Sequence, residues 1–96
     1  MSVMVTVEFP LQPGKMDEFV GMLGEALYDT RAYDGNEGVE TFVEHGGTSI
    51  LLIEHWQTVD HHKAYMKWRG ETGLGKLIGP FVSGPPIARY FDINTA

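Results

Sequence analysis

Glu54 and Trp56 stand two residues apart on a run, Ile50-Leu51-Leu52-Ile53-Glu54-His55-Trp56, that is otherwise mostly aliphatic. Alternate side chains of a strand share a face, so the acid and the indole point the same way as Ile50 and Leu52. Leu51, Ile53 and His55 point the other way. A carboxylate on apolar surface needs a partner or borders a cavity. There it can act as a base or orient a substrate hydroxyl while the indole stacks on a flat ring. The alternatives are an acid held by Arg31 and an indole that fills a core. Arg31 itself sits in the last turn of a helix, as a structural cation or an anion binder. After the strand, Thr58 can cap a helix from about Val59 to Arg69 that carries His61, His62, Tyr65 and Trp68. His62 is a general base if it faces the cavity, and a solvated side chain if it does not. Tyr65 and Trp68, three apart, share a helix side. They either cover the sheet or form the mouth of a pocket.

Other chemistries find no support. There is no cysteine, which removes disulfides, thiolate metal sites and cysteine nucleophiles. His61 and His62 are adjacent on a helix, hence about 100° apart, and His45 and His55 fall on different strands, so no metal site is expected. Gly73-Leu74-Gly75-Lys76 is too short for a phosphate loop and follows no strand. No cofactor is expected. A net charge of −6, without clustered Lys or Arg, argues against nucleic acid and anionic membranes. No apolar run approaches the roughly 18 residues of a membrane span. The N-terminal residues alternate like a strand and lack a signal peptide's basic region. A cytoplasmic protein, one domain over residues 1–96, is expected.

The positioning elements follow from periodicity and punctuation. Val3 to Phe9 reads as a strand, and Lys15 to about Ala32 as a helix with Phe19, Leu23, Ala26 and Leu27 at helical spacing. Gly21 and Gly24 weaken that helix and suggest close packing on a sheet. Val39 to His45 is a second strand, with Gly46-Gly47 as a hairpin turn. A two-residue turn puts Val39, Thr41 and Val43 on the face of Leu52, Glu54 and Trp56, making Thr41 and Leu52 candidate substrate contacts. Gly70 to Gly84 reads as a mobile cover with a short helix at Leu74 to Ile78 and Phe81 as apolar anchor. Ile87 to Ile93 is the last strand. The order β-α-β-β-α-β implies the ferredoxin-like α+β fold, an antiparallel sheet with helices on one face. The Trp56 face is expected to be the uncovered one. A homodimer packed sheet to sheet would then bury it and complete the cavity.

Val5-Thr6-Val7-Glu8-Phe9, Pro13-Gly14-Lys15 with Phe19, Thr30-Arg31-Ala32 with Gly35, and Glu54-His55-Trp56 together resemble the antibiotic biosynthesis monooxygenase domain family. The resemblance spans nearly the whole chain and implies a dimeric α/β barrel. Characterised members of that family include cofactor-independent monooxygenases of aromatic polyketides, haem-degrading enzymes and signal-molecule-processing enzymes. In the polyketide oxygenases a strand-three tryptophan lines the cavity, and Trp56 matches it by position. The asparagine often found four residues earlier is Leu52 here. Haem-degrading members carry an asparagine on strand one, where this chain has Thr6 and Val7, and many relatives carry a histidine where it has Tyr65.

The resemblance therefore implies oxygenation of a small aromatic or polyketide-like molecule, with Trp56, Glu54, Arg31, Tyr65 and His62 as catalytic candidates. Trp68, Phe81, Thr41 and Leu52 are the substrate-binding candidates. Rival readings are an isomerase or lyase for a small carbonyl signal, and a non-catalytic ligand-binding or stress-associated dimer.

Overall fold

The computed structural model describes residues 2–96. Its elements are β1 (Val3–Pro10), α1 (Met16–Ala32), β2 (Asn36–Val43), β3 (Ser49–Trp56), α2 (Val59–Glu71), α3 (Leu74–Ile78) and β4 (Ile87–Asp92). The four strands form one antiparallel sheet in the order β2-β3-β1-β4, the ferredoxin-like arrangement. It is not closed into a barrel.

β1 fixes which face the helices cover. Val3, Val5, Val7 and Phe9 are all buried, while Met4, Thr6 and Glu8 between them are not. Val5 pairs with Glu54 and Val7 with Leu52, so antiparallel pairing puts Ile50, Leu52, Glu54 and Trp56 on this same covered face. α1 adds Phe19, Leu23 and Leu27, each buried, from one side of the helix. Burying a side chain of this size contributes about 1.5–3 kcal/mol.

This corrects the expectation that the Trp56 face is open. The open face instead carries Met4, Thr6 and Glu8, with Leu51, Ile53 and His55 beside them on β3. Phe42 of β2 and Ile87, Arg89 and Phe91 of β4 complete it. Both faces of β3 are apolar, so its own alternation cannot rank them; β1, apolar on one face only, does.

The β2–β3 hairpin keeps the expected register by a wider turn. Val43 pairs with Ile50 and Thr41 with Leu52. The strands close on a Glu44 N–H to Ser49 carbonyl bond, with the turn between them. Gly46 takes a positive φ of 68° there. Gly35, at φ 89°, is required on two counts, because a Cβ would also meet the His61 ring. Gly21 and Gly24 differ from expectation: a Cβ at either position meets nothing within 4 Å. They face outward and serve no packing purpose. No helix among the described residues is long and apolar enough to cross a membrane.

Candidate functional site

A narrow cleft of about 60 Å³ lies between the sheet and the helices. Its walls are apolar: Val7, Phe9 and Leu52 from the sheet, Leu23 and Leu27 from α1, Leu74 and Ile78 from α3. Thr30, Glu54, Tyr65 and Arg69 also line it and are its polar groups. The Gly70–Gly84 segment contributes to this cover through α3, while Phe81 packs edge-on against Phe19 outside the cleft lining.

The polar groups are closely organised. Arg69 Nε donates to the Tyr65 hydroxyl at 2.7 Å, and Arg69 Nη2 donates to Thr30 Oγ1 at 3.0 Å and to the Ala26 carbonyl at 2.6 Å. Tyr65 and Thr30 share a hydrogen bond of 2.6 Å. The guanidinium carbon also lies 5.3 Å from the Tyr65 ring centre and 5.0 Å from that of Trp68. A buried cation is thus held by neutral acceptors and π faces, with no carboxylate in hydrogen-bond contact.

Glu54 is 3% exposed, and its Oε1 accepts from Trp56 Nε1 at 2.9 Å. Burial raises its pKa; the Trp56 hydrogen bond and the Arg69 charge oppose that rise without cancelling it. His62 Nε2 lies 3.7 Å from the same oxygen and has no hydrogen-bond partner. Burial lowers the His62 pKa to about 4, so the ring is neutral at pH 7. Its Nδ1 lies 2.9 Å from the Tyr90 hydroxyl. Burial, and then the nearby Glu54, raise the Tyr90 pKa.

The sequence candidates divide accordingly. Glu54, Tyr65 and Leu52 line the cleft. His62 is buried beside it, where a solvent-facing position was the alternative. Trp56 is sealed beneath the helices at 0% exposure, packed on Tyr33, His62 and Tyr65, and is absent from the cleft wall. Trp68 is half-buried against Tyr33 and Tyr65. Arg31 stands apart and donates to the Val39 carbonyl at 3.2 Å. Thr41 is exposed on the edge strand β2. Thr58 caps α2 as expected, accepting from the His61 N–H.

Three residues were not anticipated. Tyr65 follows His62 by three residues and Arg69 follows Tyr65 by four, the signature of one buried helix face carrying polar residues. Thr30 continues the Phe19, Leu23, Leu27 stripe of α1. Tyr90 alternates with Phe91 on β4, and only the sheet register shows which of them meets His62. Among the described residues no group of three His, Asp or Glu side chains is placed to hold a metal.

Sheet, helices and cleft together define a ferredoxin-like α+β protein with an acid-containing site under its helices. The sequence profile described as Antibiotic biosynthesis monooxygenase matches residues 2–69, and the chain belongs to that family. No curated protein matches it. Among solved structures, the Mycobacterium tuberculosis protein Rv0793 is 17% identical, with a TM-score of 0.75 over 100% of this chain and 98% of its own. Proteins titled "putative antibiotic biosynthesis monooxygenase" from Bordetella bronchiseptica and Caulobacter crescentus are 21% and 19% identical. Their TM-scores are 0.78 and 0.82, with 97% of this chain covered in each case and 97% and 90% of theirs. At these identities the likeness shows the fold.

Proposed function

We propose that this protein is a monooxygenase that acts, without metal or flavin, on a small phenolic or polyketide-like aromatic molecule held in the cleft. The observation that carries this reading is one apolar cleft lined by both a buried acid, Glu54, and a buried cation, Arg69. A carboxylate whose pKa stands above its ordinary value is the stronger base once ionised. It takes a proton from an activated methylene, and the anion delocalises onto a ring oxygen stabilised by Arg69 and Tyr65. The carbanion adds dioxygen, forming a C–O bond. The peroxide then regains a proton and loses water, leaving a carbonyl. One oxygen atom stays on the product and the other leaves as water. Trp56 acts through Glu54, whose carboxylate it orients.

At about 60 Å³ the cleft is far smaller than the roughly 300 Å³ or more of pockets that hold such ligands. Entry therefore displaces Met66 and Leu77, which are 36% and 42% exposed at its cover. The same reading includes a second copy on the open face, where Phe42, Ile87 and Phe91 are each more than 40% exposed beside Leu51 and Ile53.

A ligand-binding role without turnover is favoured by one observation: Thr30, Tyr65 and Arg69 already satisfy one another. Oxygen uptake with a panel of anthrones and naphthols separates the readings. Uptake that falls about 10²-fold or more in Glu54→Gln, with binding retained, is the expected result. Product without oxygen uptake would indicate an isomerase or lyase, and binding without product a non-catalytic receptor.

A further inference from the structure

Glu54 must exchange its proton at a place that solvent scarcely reaches, since it is 3% exposed. His62 lies against it outside the cleft lining, its ring 1% exposed and its two nitrogens divided between two neighbours. Nε2 faces Glu54 Oε1 at 3.7 Å and is otherwise unpartnered; Nδ1 is bonded to the Tyr90 hydroxyl at 2.9 Å. Trp56 and Tyr90 clamp the ring edge-on, each with centroids 5.4 Å away. Tyr90 itself is 42% exposed on the edge strand β4. We infer that Glu54, His62 and Tyr90 form a proton relay from the cleft to solvent at the β4 edge.

The inference rests on reading Glu54 as the base. The 3.7 Å gap exceeds a hydrogen bond by less than about 1 Å, within reach of a small side-chain adjustment. As the Glu54 proton bonds to Nε2, the Nδ1 proton passes to the Tyr90 oxygen, and the Tyr90 hydroxyl proton passes to water. Each O–H or N–H bond broken is matched by one formed, and nothing is oxidised. Reversal restores the first tautomer. That suits the proposed chemistry, in which the proton taken from carbon is needed again when the peroxide loses water. The groups facing the ring are Glu54 from β3, Tyr90 from β4 and Tyr65 from α2, with Arg69 acting on Glu54. A neutral imidazole, which burial ensures, keeps one nitrogen free to accept.

The test needs no substrate. After a pH jump, the infrared band of the Glu54 carboxyl, identified by its absence in Glu54→Gln, reports the rate of proton exchange. Tyr90→Phe should slow that rate about tenfold or more without moving the equilibrium midpoint, and Tyr90→His should restore it. His62→Gln should slow it similarly. Wild-type exchange in both Tyr90→Phe and His62→Gln would overturn the relay, whatever the oxygen-uptake result. Slowed exchange in a protein with no oxygen uptake would uphold the relay while removing the oxygenase reading.

Discussion

Truncating Trp56 to alanine should remove roughly a third of this protein's stability or more. The indole is fully enclosed, touching Tyr33, His62 and Tyr65, and no cleft adjoins it to soften the loss. Removing a large core aromatic costs about 3–5 kcal/mol. Glu54 also loses the donor on Oε1, which adds about 1–3 kcal/mol for a buried acceptor left unpaired. The sum, roughly 4–8 kcal/mol, compares with about 5–14 kcal/mol for a chain of 96 residues. At about 4–8 °C per kcal/mol, Tm should fall by at least roughly 15 °C. Urea unfolding followed by far-ultraviolet circular dichroism is the suitable assay, because the substitution removes one of the two tryptophans. Trp56→Phe, which keeps a six-membered ring in the site but loses the pyrrole part of the indole with its N–H, should cost less than the alanine variant. A loss under about 1.5 kcal/mol for the alanine variant would mean that Trp56 borders open space, and the assignment of the cleft would have to be redrawn.

Gly21→Ala and Gly24→Ala should each stabilise the protein by about 1 kcal/mol in thermal melts, since the added methyl meets nothing and the helix gains propensity. Between about pH 6.5 and 4 the unfolded chain protonates His62 while the native chain does not, so stability from this group is full above 6.5 and falls with acidification. The loss, on the order of 3 kcal/mol, should be seen in wild type and be absent from His62→Gln in urea titrations at several pH values. Glu54 acts with the opposite sign: its raised pKa makes the native chain bind the proton first, and that contribution is lost as pH rises. Ile53→Asp on the open face should leave the fold intact and yield monomers in sedimentation, whereas Leu52→Asp, under the helices, should unfold the chain.

The element order, the short helix at Leu74 to Ile78, the Thr58 cap and the β2–β3 face match were all readable from the residues. They depend on local periodicity and turn chemistry, which a sequence displays directly. The face of β3 that meets the helices was not readable from β3, because Ile50 and Leu52 are no more apolar than Leu51 and Ile53. Pairing with β1 decides it, and pairing is a non-local fact. The polar site was half visible for the same reason. Glu54 announces itself as an acid among aliphatics, but Arg69 and Thr30 look like ordinary helix residues until the two helices meet at the Tyr65 hydroxyl. Arg31, the more conspicuous cation, ends its helix against a β2 carbonyl instead.

The wide turn between β2 and β3 has a consequence for engineering. Gly46 and Gly47 sit symmetrically between the Val43 and Ile50 partners, in a loop whose residues are exposed and make no part of the cleft wall. Adding or removing residues there in pairs leaves every strand partner and every side-chain direction as it is. The hairpin tip is therefore an attachment point for tags, spectroscopic labels or grafted peptides, at the end of the sheet where cargo can be carried without disturbing the acid and the cation beneath the helices.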